Sequence, residues 1–293
     1  MAILTGLRKV LKHNRTRLLR RLTQAGFGLF IIVSSIRHYV VTSEHLASID
    51  AYCPFGGFET LWRWASSGGL FVQMTHGSNL VLALGLIAGV ILAGGAFCGW
   101  ICPFGAFQDL LAWIRKKLHL PEVQVPARLD RILTYGRYVS LAGILVATIA
   151  SVRLWFAGWD PYRTIFGLGW IFEFNLAEQW LAYVVALVVV AGVLLIPRAW
   201  CRYVCPLGGA ISLLGNLSLL RIRRVEGECR GCAVCNAPCP VKIDVAHADP
   251  AVSANCIGCL ECVEICPRKA ALGVTLGPAL PKPLRTRKKE GVA

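Results

Sequence analysis

The chain has 293 residues, 56% of them hydrophobic and 16% charged, against about 25% charged in an ordinary soluble domain. Its formal net charge is +15, but the basic residues sit beside apolar runs and not on a binding module, which excludes nucleic acid and favours a membrane. Thirteen cysteines, twelve of them in regular motifs, exclude a secreted disulfide scaffold and point to metal or cluster ligation in a reducing compartment.

In chain order, residues 1–21 hold seven Lys or Arg and no acid, a basic N-terminal segment. A helix of about 20 apolar residues crosses a bilayer core. Runs 78–97 and 179–197 have that length without a charge, and runs 22–41 and 132–157 carry arginines only near their ends. Long basic side chains there can snorkel to the interface, so four spans are expected. No small-residue cleavage site follows the first run, so it reads as an uncleaved anchor. Segment 42–77 holds only Arg63 as a basic residue, 104–131 holds five, 158–178 holds only Arg163, and 198–293 holds fourteen. That alternation places both termini in the cytoplasm. Trp62, Trp64, Trp155 and Trp159 fall near the outer ends, as an aromatic belt would.

The second and fourth runs end alike. FCGWICPFGAFQDLL at 97–111 matches WCRYVCPLGGAISLL at 200–214 at Cys98/Cys201, Cys102/Cys205, Pro103/Pro206 and Gly105/Gly208. Outer loops with a Pro-aromatic step, at 52–59 and 159–166, precede each. Two repeats are expected, with function where they meet. Segments 103–120 and 206–224 are expected along the inner membrane surface. A C-x3-C pair at a helix end sets two thiols about one turn apart on one face, so Cys98, Cys102, Cys201 and Cys205 form a candidate soft-metal or redox site. The competing reading is helix-end packing with free thiols.

The tail carries CRGCAVCNAPCP at 229–240 and CIGCLECVEICP at 256–267, each the C-x2-C-x2-C-x3-C-P run of bacterial ferredoxins. Three close thiolates reach three irons of one cubane, and the fourth cysteine of each run ligates the other cluster. Cluster one thus takes Cys229, Cys232, Cys235 and Cys266; cluster two takes Cys239, Cys256, Cys259 and Cys262. Structural zinc prefers separated C-x2-C knuckles and fits the runs poorly.

With these motifs the chain resembles the NapH/NosR/CcoG group of membrane-bound polyferredoxins. The resemblance implies a multi-pass protein of the bacterial inner membrane. NapH-like members are regarded as quinol-oxidising, NosR-like members as serving nitrous oxide reductase, and CcoG-like members as reducing copper. It therefore implies an electron-transfer subunit linking the quinone pool or a cytoplasmic donor to a partner reductase. The alternative is a copper reductase or delivery factor acting through the C-x3-C-P thiols. His38, His45 and His76 are outer-face candidates for a quinol site, since a proton acceptor there would release protons outward. Cys53 reads as a lone outer thiol or a packing residue.

The expected fold is an α-helical membrane protein with four spans in two repeats, plus a small α+β 2[4Fe-4S] ferredoxin domain. The expected division is 1–21 basic segment, 22–224 membrane domain, 225–275 ferredoxin-like domain and 276–293 basic disordered tail.

Overall fold

The computed structural model describes residues 15–41, 52–66, 77–151, 155–248, 252–268 and 270–277. Helix α1 (Arg15–Val40) buries Arg20, Gln24, Ile31 and Ser35, a stripe at helical spacing. Its remaining surface carries exposed Leu22, Leu29, Phe30 and Val33, an apolar face that suits lipid better than water. Helix α2 spans Pro54–Ser66, and α3 (Gly77–Ala93) is wholly apolar beyond its first turn.

The run 78–97 is not one helix. α3 stops at Ala93, Gly94 takes a left-handed φ of +58°, and a short α4 (Ala96–Trp100) begins. Seventeen helical residues rise only about 26 Å, slightly less than a bilayer core of about 30 Å. Helix α5 (Pro103–Lys117) then starts with proline at its first position, where the missing N–H costs nothing.

Helices α6 (Ala127–Thr134) and α7 (Gly136–Ser151) follow each other over the 25 residues Ala127–Ser151, within which the most apolar window of 18 residues has mean hydropathy 1.5. After the short α8 (Pro161–Phe166) and α9 (Gly169–Phe172) comes α10 (Leu176–Leu195), 20 residues with mean hydropathy 2.0. By length and composition these two helical stretches, among the described residues, can cross a membrane. α10 ends where Ile196 turns extended before Pro197. Helices α11 (Ala199–Tyr203) and α12 (Pro206–Leu214) mirror α4 and α5.

The helices close on a core that includes Ile31, Phe55, Val90, Phe104, Ile144, Val193 and Trp200. Phe104, from the first C-x3-C-P segment, meets Trp200, from the second, edge to face at 6.2 Å.

Strand β1 (Leu220–Arg224) pairs antiparallel with β2 (Leu272–Leu276), with Ile222 opposite Val274. Segment 206–224 therefore does not lie along the inner surface throughout; its last five residues belong to the tail's sheet. Ile222 and Leu272 bury with Cys235, Cys262, Val245 and Val252 in a second, smaller core. This unit carries helix α13 (Glu261–Ile265).

Candidate functional site

The two cysteine runs of the tail share one backbone path. Two and four residues after each first cysteine the chain turns left-handed, at Gly231 and Ala233 in one run and at Gly258 and Leu260 in the other. Glycine meets the first of these turns without steric cost; Ala233 and Leu260 hold it at about 1–2 kcal/mol each. The third cysteine then opens a short helical turn: Cys235 in Val234–Asn236, and Cys262 in α13.

The fourth cysteine of each run lies with the other run. Cys266 lines one cleft with Cys229, Cys232 and Cys235. Cys239 lies within electrostatic reach of Cys256, Cys259 and Cys262. Backbone amides point at sulfur, with Gly258 N donating to Cys256 Sγ and Ile243 N to Cys239 Sγ, both at 3.4 Å. Burial pushes the Cys256 thiol up to about 12. Burial raises Cys262 as well, reinforced by Cys259, Cys256 and Cys239 around it. Thiolates in such a place need a cationic core to stabilise them. Soft sulfur ligands, amides aimed at them and a dry wrap fit an iron–sulfur cluster. Asn236, unremarked in the sequence, pins this fold by accepting from Val245 N at 2.7 Å and Ala246 N at 3.0 Å.

The C-x3-C-P segments match each other as closely. Cys102 and Cys205 cap α5 and α12 with φ/ψ of −59°/115° and −57°/116°. Cys102 N donates to Phe97 O at 2.9 Å, and Cys205 N to Trp200 O at 2.8 Å. All four thiols line a cavity of about 340 Å³, together with Cys256, Cys53 and Asp160. Gln108 Nε2 donates to Cys201 Sγ at 2.9 Å. The Cys53 thiol donates to Asp160 Oδ2 at 3.6 Å. Among the described residues, no three His, Cys, Asp or Glu gather closely enough to hold a single ion.

The segment around Cys98 is held by charge. Arg198 is fully buried; it donates to Asp109 at 2.8 and 2.7 Å and to the Cys98 carbonyl at 3.1 Å. Arg20 also binds Asp109, donates to Gly99 O at 2.9 Å and pairs with Glu261. Burial works to raise the Asp109 carboxyl, yet Arg198 and Arg20 beside it hold it below the ordinary carboxylate value. Asp109, Arg198 and Glu261 did not stand out in the sequence, and Arg20 did so only as one of the basic residues of 1–21.

The same place joins the two units. A Cβ on Gly95 would lie 2.4 Å from Cys256 O, and one on Gly99 would lie 2.2 Å from Ile257 O. Only glycine lets the 256–258 backbone approach so closely. Trp100 Nε1 donates to Gly258 O at 2.9 Å.

His38 is exposed, touches Tyr39 edge to face, and is not among the residues lining the cavity. His45 and His76 lie outside the described residues.

The geometry is that of a ferredoxin-type iron–sulfur unit seated on a helical, lipid-compatible scaffold. A "4Fe-4S binding domain" model matches residues 75–121 and 179–224, and a "4Fe-4S dicluster domain" model matches 221–267. The methylamine utilization ferredoxin-type protein MauN of Methylorubrum extorquens is 30% identical over 75% of this chain and 73% of its own length. The ferredoxin-type protein NapH of Haemophilus influenzae is 30% identical over 61% of this chain and 62% of its own. The regulatory protein NosR of Pseudomonas aeruginosa is 36% identical over 57% of this chain but only 23% of its own length. The chain thus spans about a quarter of that NosR and less than two thirds of that NapH. No solved structure matches. The chain belongs to the NapH/NosR-like family of ferredoxin-type polyferredoxins.

Proposed function

We propose that this chain is a membrane-bound electron-transfer protein whose tail holds two [4Fe-4S] clusters. Cys229, Cys232, Cys235 and Cys266 would ligate one, and Cys239, Cys256, Cys259 and Cys262 the other. The observation that carries the reading is the crosswise gathering of the eight tail cysteines in two loops of the same backbone path. Bound there, the clusters supply reversible one-electron storage. The chain's own residues do the rest. Amides at Gly258 and Ile243 offer hydrogen bonds to sulfur, and Gly95, Gly99 and Trp100 seat the second cysteine loop beside Cys98.

Four spans, two repeats and a cytoplasmic tail complete the reading, with the membrane domain running from 22 to the residue before β1 and the ferredoxin-like unit extended to include β1. The equal geometry of the two C-x3-C-P segments and the double match of one family model support the repeats. The names of its relatives, ferredoxin-type proteins, support electron transfer; in the proposed circuit the quinone pool or a cytoplasmic donor stands at one end and a partner reductase at the other. Cys98, Cys102, Cys201 and Cys205 act as a redox site in the shared cavity.

Anaerobically purified protein is expected to hold about eight irons and about eight acid-labile sulfides in its tail. Cys239→Ser is expected to erase the paramagnetic resonance signal of the cluster on Cys256, Cys259 and Cys262, leaving the other. Damage confined to the cluster on Cys229, Cys232 and Cys235 would sink the crossed ligation. Bound zinc in place of iron would sink the whole reading.

A further inference from the structure

The two cysteine sets of the tail differ in what can reach them. Cys239, Cys259 and Cys262 are buried, and the 256–258 backbone lies under α4. That set is the more enclosed of the two. The other set opens outward: Cys232 and its neighbours Arg230, Gly231, Ala233 and Val234 are all exposed. Its cleft is rimmed by Arg224, Arg230 and Arg268 against one acid, Glu228. Arg224 is held in place by donating to Ala248 O at 3.0 Å, while Arg268 Nη1 stands 3.5 Å from the Glu228 carboxylate. Three guanidinium groups against one carboxylate leave the rim cationic. Val234 and Pro267, both exposed, give it an apolar centre. An apolar centre within a charged rim is the anatomy of a transient protein contact.

We propose that this face is the docking surface for a soluble, acidic one-electron carrier protein, and that electrons pass between the carrier and the first cysteine set, and between that set and the second. The proposal rests on the reading of the tail as a two-cluster unit. Each exchange moves one electron between the carrier's own centre and the outer cysteine set; no atoms are transferred and no bond is made. The arginines act by steering. Complementary charge raises the association rate and makes it fall with ionic strength, because screening acts within about 8–10 Å at working salt.

The test uses the full chain, cluster-loaded, in nanodiscs of neutral lipid, with a photoreduced acidic ferredoxin as donor. Reduction of the tail should slow steeply as salt rises. Arg230→Glu with Arg268→Glu should slow it at least tenfold at low salt, and the two proteins should converge at high salt. Reduction by photoreduced deazaflavin, a small uncharged reductant, should be equal in both, and so should iron content and resonance spectra. Oxidation of the prereduced tail by cytochrome c, a basic carrier, should instead be faster in the double variant. A salt-independent rate, or a double variant as fast as the unmodified chain with ferredoxin at low salt, overturns the docking surface. Failure of the unmodified chain to hold iron and sulfide in its tail would overturn the underlying reading instead, and iron counting separates the two.

Discussion

The two C-x3-C-P segments share backbone geometry and differ in what stands at equivalent places. Ahead of the first lie Gly95 and Gly99; at the corresponding positions ahead of the second lie Arg198 and Arg202. The glycines admit the 256–258 backbone. The arginines are buried and paired, Arg198 with Asp109 and Arg202 with Asp130. The position of Asp109 is taken by Ser212 in the second segment. One copy of the motif has become a seat for the iron–sulfur unit, and the other a clamp that fixes the seat from behind. Equal thiols therefore sit in unequal surroundings.

That contrast can be broken from the clamp side first. Arg198→Ala leaves Asp109 and two carbonyls without their buried donor, and breaking such a pair costs about 3–5 kcal/mol. Thermal unfolding in detergent should show the largest loss of this series, with iron lost from the tail at lower temperature. A variant that unfolds like the unmodified chain would mean Asp109 is held by Arg20 alone.

From the seat side, Gly99→Ala forces Ile257 O back from a 2.2 Å approach. Overpacking against backbone costs about 1–3 kcal/mol. The tail should remain folded and iron-loaded but separate from the helices, so that protease cleavage between 217 and 230 speeds up. Unchanged cleavage would show that the glycine is not what admits the loop.

Acid should release the clamp. Asp109 is held below its unfolded value near 3.9, with burial opposing and Arg198 and Arg20 prevailing. Its contribution is complete above that value and is lost as pH falls through the lowered folded one. Stability measured from pH 6 down to pH 3 should fall in the unmodified chain, and Asp109→Asn should flatten the lower part of that curve. An equal slope in both would remove Asp109 as a contributor.

The smallest effect is the control. Gly192 lies inside α10 with nothing within 4 Å of a built Cβ. Gly192→Ala should be neutral or stabilise by up to about 1 kcal/mol. Marked destabilisation would mean that glycine is needed even where no backbone approaches.

The cysteine runs were legible because spacing alone specifies them: each turn at Gly231 or Gly258 follows from having to bring three sulfurs round one point. The apolar runs were legible as helices, though not the break at Gly94 and Gly95, which answers to Ser218 and Cys256 far along the chain. Asp109, Arg20 and Arg198 were hidden for the same reason. In sequence each is an ordinary charge near a helix end, and only packing makes it buried and paired. His38 was singled out by its place near one end of an apolar run, and on α1 it is exposed.

Arg20 has a consequence for how the protein is made. It belongs to the first described helix, yet its partners Gly99, Asp109 and Glu261 stand 79, 89 and 241 residues later. During synthesis the guanidinium emerges with none of them present and remains solvated or interfacial until the first C-x3-C-P segment arrives. Its last contact waits for the final cysteine run. Chain ends made minutes or seconds apart are thus joined at one atom group, and ribosome-bound chains stopped before residue 261 should leave α1 open to exchange and proteolysis that the completed chain resists.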